Sequence, residues 1–284
     1  MYVATTIADI RAWVKQARAA GKTVGLVPTM GALHVGHVSL IEAAAAQCDR
    51  VVVSVFVNPT QFGPGEDFDE YPRPFESDVA ICERHGAHAV FAPSAAEMYQ
   101  GGTLTWVTVE KLTEPLCGRS RPGHFRGVTT VCAKLFNAVL PDVAFFGQKD
   151  GQQAAVIRRM VADLNMPLEI VVCPTVREPD GLAVSSRNQY LGPQERQEAT
   201  VIYRALQKGG ESIHAGQTDA ARIIDEMRAV LRGVPALQVE YVSLVDAESL
   251  EEIGRVRGKV LLAVAGRLGS TRLIDNILVD TTAR

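Results

Sequence analysis

Two histidines and two glycines crowd into one short stretch, Pro28-Thr29-Met30-Gly31-Ala32-Leu33-His34-Val35-Gly36-His37. Residues 24–27 ahead of it form an apolar run that reads as a buried parallel strand. Residues 38–46 behind it are rich in Leu, Ile and Ala and read as helix. In an open parallel sheet, a turn from strand to helix is where ligands bind. The helix start offers unpaired N–H groups and the positive end of its dipole to an anion. Glycines let the backbone approach a phosphate closely, and imidazoles donate hydrogen bonds to it. A plainer reading, two histidines capping and solvating a helix start, stays open on this segment alone.

Three further segments carry chemistry of a matching kind. In Val55-Phe56-Val57-Asn58-Pro59-Thr60-Gln61-Phe62-Gly63, Asn58 and Gln61 set neutral donors and acceptors beside an aromatic ring. That mixture suits a small polar acid with an aliphatic body; the same residues also make an ordinary turn. In Phe145-Phe146-Gly147-Gln148-Lys149-Asp150-Gly151-Gln152-Gln153, Lys149 falls at a helix start, where the dipole disfavours a cation. A bound phosphate would resolve that conflict, as would a solvated Lys–Asp pair. In Val176 to Asn188, the hydroxyls of Ser185 and Ser186 and the guanidinium of Arg187 could hold a triphosphate, or simply close a turn. Between these lie Arg119, Arg121, His124 and Arg126, read either as a local positive field for anions or as a solvated basic loop.

The elements needed to position these residues alternate. Helices are expected over 7–20, 36–46, 75–85, 127–140 and 152–165, and strands over 23–27, 51–57, 87–92, 143–146 and 168–173, with an extra strand at 104–109. Such alternation with short connections means a Rossmann-like parallel sheet covered by helices on both faces. After about residue 175 the pattern changes to two helices, 193–215 and 218–232, and three strands, 237–245, 259–265 and 271–278. Period-two alternation through Tyr241, Ser243, Val245 and through Arg272, Ile274, Asn276, Leu278 is that of a sheet with one face covered. The expected fold class is therefore α/β with a smaller C-terminal α+β domain. The expected domains are residues 1–176, binding nucleotide and acid, and residues 177–284, closing over the nucleotide.

The chain has 284 residues, 47% hydrophobic and 21% charged, with a formal charge of −3. That charge argues against a nucleic-acid binder. No apolar run reaches the roughly 20 residues of a membrane helix, and the N-terminus lacks a secretory pattern. The five cysteines, Cys48, Cys82, Cys117, Cys132 and Cys173, are scattered without CxxC spacing and read as reduced thiols, mostly in cores. The expected location is cytoplasmic, with no membrane or nucleic-acid partner.

Taken together, PTMGALHVGH, VFVNPTQF, the YPR at 71–73, RPGHFRGV, DVAFFGQKDGQQ and VREPDGLAVSSRN resemble, in order, the blocks of the pantothenate synthetase (pantoate–β-alanine ligase) family. That family lies within the His-x-Gly-His nucleotidyltransferase and class I aminoacyl-tRNA synthetase superfamily. The blocks run from Pro28 to Asn188; beyond them the likeness is of length and element pattern more than motif. Val184 stands where the family usually has Met, a swap between apolar residues expected to change packing near the nucleotide only modestly.

The resemblance implies two steps in one site. Pantoate carboxylate attacks the α-phosphorus of ATP to give pantoyl-adenylate and pyrophosphate; the β-alanine amine then displaces AMP. It implies that Met30, Gly31, Ala32, Leu33, His34, Val35, Gly36 and His37 cradle ATP. His37, His34 and Lys149 would be catalytic, His37 stabilising or protonating the developing pyrophosphate. Gly147, Gln148, Lys149 and Asp150 would contact phosphate and nucleotide, and Val176, Val184, Ser185, Ser186 and Arg187 would close the nucleotide site. Gln61 and Gln153 would hold pantoate, Gln61 also reaching β-alanine. Mg²⁺ would accompany ATP, its protein ligands unassigned, and the family pattern is a homodimer. The rival readings are an AMP-transferring nucleotidyltransferase with a phosphate-bearing acceptor and a catalytically silent nucleotide-binding regulator. A full tRNA synthetase finds too little chain after the core and the wrong charge.

Overall fold

The computed structural model describes residues 1–282. In chain order its elements are β1 (Tyr2–Ala4), α1 (Ile7–Ala19), β2 (Val24–Thr29), α2 (Val35–Gln47), β3 (Arg50–Val55), α3 (Phe75–Arg84), β4 (Ala89–Phe91), α4 (Ala95–Met98), α5 (Cys117–Ser120), α6 (His124–Val139), β5 (Val143–Gly147), α7 (Gly151–Asp163), β6 (Glu169–Cys173), α8 (Pro193–Glu198), α9 (Val201–His214), α10 (Ala220–Leu231), β7 (Gln238–Asp246), β8 (Lys259–Leu268) and β9 (Thr271–Asp280). The chain divides into two compact units. The first comprises Met1–Glu110, Arg121–Gly147 and Val156–Pro174; the second comprises Lys111–Ser120, Gln148–Ala155 and the chain from Thr175 onward.

The first unit holds a six-stranded sheet in the order β1-β4-β3-β2-β5-β6, with every pairing parallel. Chain order reverses between β2 and β5, so the turn leaving β2 stands at the topological switch point, where ligands of open parallel sheets bind. Consecutive residues of β2 and β3, among them Leu26, Val27, Val51, Val52 and Val53, are fully buried, so both faces of these strands are covered. On one face α2 seats Leu40, Ile41 and Ala44 against Val27, Val53 and Phe145. Burying the two larger side chains stabilises by about 1.5–3 kcal/mol each and fixes the helix whose start carries the histidines.

The second unit holds the antiparallel sheet β7-β8-β9. On one of its faces α9 and α10 pack Leu206, Ile223 and Met227 against Leu262, Val264 and Leu273. The single covered face expected from the alternation is too simple. Ala263, Ala265 and Asn276, on the opposite face, are also buried, and segments 111–120 and 148–155 of the same unit supply residues there.

Two expectations about elements need correction, and one element, β1, went unread. Residues 104–109 form no strand: the Thr130 hydroxyl accepts the Val107 N–H at 3.0 Å and the Thr129 hydroxyl donates to the Val107 carbonyl at 2.6 Å. Side chains of α6 thus replace a strand partner, and alternation alone does not distinguish the two. The helix expected over 193–215 is α8 and α9, interrupted at Ala199 and Thr200, where the Thr200 hydroxyl bonds the Gln197 carbonyl at 2.8 Å. The short edge strand β1, paired to β4, carries too few residues to show a period.

Among the described residues no helix is long and apolar enough to cross a membrane. All five cysteines are buried and unpaired with one another, and burial pushes the Cys82 and Cys132 thiols up to about 12, which keeps them protonated core residues.

Candidate active site

In the first unit the two histidines build their own helix start. His34 is the N-cap of α2: its Nδ1 accepts the Gly36 N–H at 3.2 Å, while His37 Nδ1 accepts the His34 N–H at 3.3 Å. This is a reciprocal capping box made of imidazoles. A ring nitrogen that accepts an N–H bears no proton, so in the neutral form of either ring the proton is on Nε2, a type of donor that suits phosphate. The ring centroids are 4.1 Å apart. The capping and functional readings of the sequence are therefore compatible, since the cap leaves Nε2 as the protonated nitrogen of each neutral ring.

The turn ahead of this cap is held by a residue that sequence reasoning missed. Gly31 and Ala32 take positive φ of 81° and 50°, and a side chain on Gly31 would meet Asp78 Oδ2 at 2.9 Å. Asp78 on α3 is 1% exposed and accepts the N–H groups of Ala32 at 2.9 Å and Leu33 at 2.8 Å. Burial pushes its carboxyl above the usual range, and the two N–H bonds pull it back only in part. Its one sequence signal is an acid on the buried side of α3, near Cys82. Replacing Asp78 by alanine leaves two N–H groups unmatched and is expected to cost about 2–4 kcal/mol of stability. ATP binding should weaken with it; Asp78→Asn, which keeps one oxygen, should fall between. Urea unfolding and ATP titration measure both, and a stability change of only a few tenths of a kcal/mol for the alanine variant would rule out this role.

Asn58 and Gln61 divide their work differently from the expectation. Asn58 is 1% exposed and spent on structure. Its Oδ1 accepts from Tyr99 OH at 2.7 Å and from the Thr60 hydroxyl at 2.9 Å, and its Nδ2 donates to the Gly127 carbonyl at 3.2 Å and to Gln61 Oε1 at 3.0 Å. Gln61 lies half-buried on the turn Pro59–Gln61, with Nε2 donating to Met30 Sδ at 3.2 Å. The loop and the histidine turn therefore meet. Gly127 on α6 permits this packing, since a Cβ there would overlap the Thr60 carbonyl oxygen.

Of the basic cluster, Arg121 is paired with an acid rather than open to anions, while Arg119 stays exposed, 3.7 Å from Glu252. Arg121 is bidentate to Glu66 at 2.7 and 2.6 Å and reaches the Gln61 carbonyl at 3.4 Å, and His124 Nδ1 lies 2.8 Å from the same oxygen. Burial pushes the Glu66 carboxyl up, but the bonds and charge of Arg121 outweigh it and hold it at about 2. The Arg126 guanidinium lies over the Trp106 ring, 4.5 Å from its centroid. Arg121 and His124 thus fix the backbone of Gln61.

In the second unit the turn Gln148–Asp150 leads into α7, with Lys149 Nζ 3.8 Å from Asp150 Oδ1. Gln153, one of the expected pantoate ligands, is half-buried on the first turn of α7. Its neighbour Gln152 is structural, bonding the carbonyls of Leu112 and Pro115 and the N–H of Cys117. Residues 176–184 fold back on themselves, Arg177 bridging Ala183 and Val184 N–H donating to the Val176 carbonyl at 3.0 Å. Val176 and Val184 are thereby neighbours, and Val184 is buried. Ser185 caps the next turn, its hydroxyl accepting the Arg187 N–H at 3.3 Å, with Ser186 and Arg187 in that turn.

Strand β9 joins these two segments. Arg177 pairs with Asp275 at 2.6 and 3.0 Å, and the adjacent Asn276 donates from Nδ2 to the carbonyls of Gln148 at 3.0 Å and Lys149 at 2.8 Å. Burial raises the Asp275 carboxyl, opposed by Arg177 and, more weakly, by the charge of Lys149. Neither Asp275 nor Asn276 carries a local sequence signal of this role. The expected site residues accordingly group as Met30 to His37 with Gln61 in the first unit, where Gly147 ends β5, and as Gln148 to Asp150, Gln153, Val176 and Val184 to Arg187 in the second. Among the described residues no group of three or more His, Cys, Asp or Glu side chains is placed to hold a metal ion.

Comparison with known proteins bears out the family resemblance read from the sequence. The family model described as pantoate-beta-alanine ligase matches residues 2–278. A pantothenate synthetase from Pelotomaculum thermopropionicum is 53% identical over 279 residues, covering 98% of this chain and 99% of the relative. The crystal structure of pantothenate synthetase from Thermus thermophilus superposes with a TM-score of 0.93 at 46% identity, covering 98% of this chain and 99% of that one. That of a pantoate-beta-alanine ligase from Francisella tularensis, complexed with beta-gamma ATP and beta-alanine, gives 0.80 at 33% identity, covering 98% and 97%.

Proposed function

The chain belongs to the pantoate–β-alanine ligase family, and from that premise we propose how its residues divide the work. It is an enzyme, an ATP-dependent ligase that joins pantoate to β-alanine. In our reading the reaction passes through pantoyl-adenylate. A carboxylate is a poor acyl donor; joining it to AMP supplies a leaving group that the β-alanine amine displaces. The first step is in-line attack on the α-phosphorus, which asks for positioning and charge stabilisation rather than covalent help.

Met30, Gly31, Ala32, Leu33, Val35 and Gly36 line the nucleotide, with Nε2–H of His34 and His37 aimed at the phosphates. Lys149 neutralises charge as pyrophosphate leaves. Gly147, Gln148, Asp150, Val176, Val184, Ser185, Ser186 and Arg187 complete the nucleotide contacts, and residues 177–284 are the part assigned to closing over ATP. Gln61 and Gln153 hold pantoate, and Gln61 reaches β-alanine. The observation that carries this reading is the contact between Gln61 and Met30, which seats the loop for the acid against the turn for the nucleotide. Mg²⁺, which prefers phosphate oxygens and water to a protein cage, would travel on the triphosphate and neutralise its charge. The Asp150 carboxylate, beside Lys149 and 47% exposed, is a hard oxygen donor that fits such an ion. The family pattern also supports a homodimer, which light scattering on the purified chain tests.

Pantoate, ATP and Mg²⁺ without β-alanine should support isotope exchange between pyrophosphate and ATP. ADP as the nucleotide product, or exchange that appears only when β-alanine is added, would exclude the adenylate route. Exchange independent of any carboxylic acid would favour an AMP-transferring enzyme of another kind.

A further inference from the structure

We propose that Asn276 on β9 is a positioning residue for Lys149, holding the lysine's turn at a fixed place relative to the Arg177–Arg187 segment. The inference rests on the reading above in which Lys149 acts on the phosphates.

The side chain of Asn276 is spent on a single turn. Its Nδ2 donates to two successive carbonyls, Gln148 at 3.0 Å and Lys149 at 2.8 Å, and its Oδ1 accepts from Gln148 Nε2 at 2.8 Å. The turn has little play around this clamp, because a Cβ on Gly151 would come within 3.0 Å of Asn276 Oδ1. Across β8 the register partner is Ala263, whose small side chain leaves room for the turn against the sheet. A residue chosen only to fill this buried place would be apolar, since an amide buried at 6% exposure must find partners for its donors and acceptor. All of these partners belong to the segment carrying Lys149.

Behind the clamp stands a second one. The N–H of Asn276 donates to Asp275 Oδ1 at 2.8 Å, and Asp275 is held by Arg177, which also reaches the Gly181 carbonyl at 3.0 Å and lies over the Tyr203 ring, 3.8 Å from its centroid. Asp275 is on the face packed by α9 and α10, where an ion pair is rarely the most stable filling. Two adjacent residues of one strand thus point to opposite faces and grip two segments that both carry phosphate-binding groups. A lysine aims its charge through four rotatable bonds, so the backbone from which it starts decides where the ammonium can reach.

The test is a double-mutant cycle on the full chain: Asn276→Ala, Lys149→Ala and both, with adenylate formation and the attack of β-alanine on preformed pantoyl-adenylate measured separately by rapid quench. Asn276→Ala should slow adenylate formation about 10-fold in the native background and less than about 3-fold when Lys149 is already alanine. Asn276→Ser, which keeps one donor, should restore part of the rate and serves if the alanine variant does not fold. Equal losses in the two backgrounds, equal losses in the two half-reactions, or no loss at all would overturn the proposal. If Lys149→Ala itself leaves adenylate formation unchanged, the reading of the lysine fails first and the proposal with it; a slow Lys149→Ala with a fast Asn276→Ala sinks the proposal alone.

Discussion

Replacing Lys149 or His37 with alanine should each slow adenylate formation by about 10²–10³-fold, the usual scale for losing one donor aimed at developing charge. The two losses should differ in what accompanies them. Lys149 sits 22% exposed on its turn, and the bonds holding that turn come from its backbone and from Gln148, so its removal should leave the unfolding midpoint nearly unchanged. His37 also accepts the His34 N–H, so its removal should cost about 1 kcal/mol of stability as well, the size of a lost helix cap. Single-turnover rates of adenylate formation, read beside urea unfolding, separate the contributions. A His37→Ala enzyme that loses stability but keeps its single-turnover rate would make the ring a cap and nothing more.

Gln61→Ala should raise the pantoate KM and lower kcat together, by about 1–3 kcal/mol in kcat/KM, the cost of leaving buried polar partners unmatched. Gln61 is backed on three sides: Asn58 holds its amide oxygen, His124 and Arg121 its carbonyl, and Met30 its amide nitrogen. A side chain so fixed loses little freedom when it binds, which lets binding energy act on orientation. An uncharged amide can hold hydroxyl and carboxylate oxygens while leaving a lone pair free to attack phosphorus, whereas an arginine would pin it. ATP affinity should change little, because the contact to Met30 is a weak one to sulfur. Titration of ATP together with steady-state kinetics in pantoate decides the matter. A variant that loses ATP binding but keeps its pantoate KM would assign Gln61 to the nucleotide instead.

The parts of this molecule that could be read from the chain are those whose cause is local. The apolar run 24–27, the glycines and histidines after it and the Ala-rich helix that follows together specify a strand, a turn and a helix, and all three are found. The residues that hold the turns were not legible, because their partners are far away in the chain: Asp78 reaches Ala32 across 46 residues and Asn276 reaches Lys149 across 127. Nor could the chain reveal how its polar groups are spent. Asn58 and Gln61 look alike in sequence, yet one is consumed by the loop and the other lies against Met30. Arg121 looks like an open cation until Glu66, 55 residues upstream, is found against it.

The second unit draws in two segments made long before the rest of it, and that sets an order of events during synthesis. Cys117 precedes its partner Tyr241 by 124 residues, and Gln148 precedes Asn276 by 128. At roughly 5–20 residues per second these segments wait about 6–25 s for the strands that receive them. Gln152 is served early, since the carbonyls of Leu112 and Pro115 have already emerged. The turn of Lys149 is not: Asn276 emerges 127 residues after Lys149. A ribosome-bound chain short of Asn276 therefore carries every nucleotide motif but lacks the clamp on its lysine.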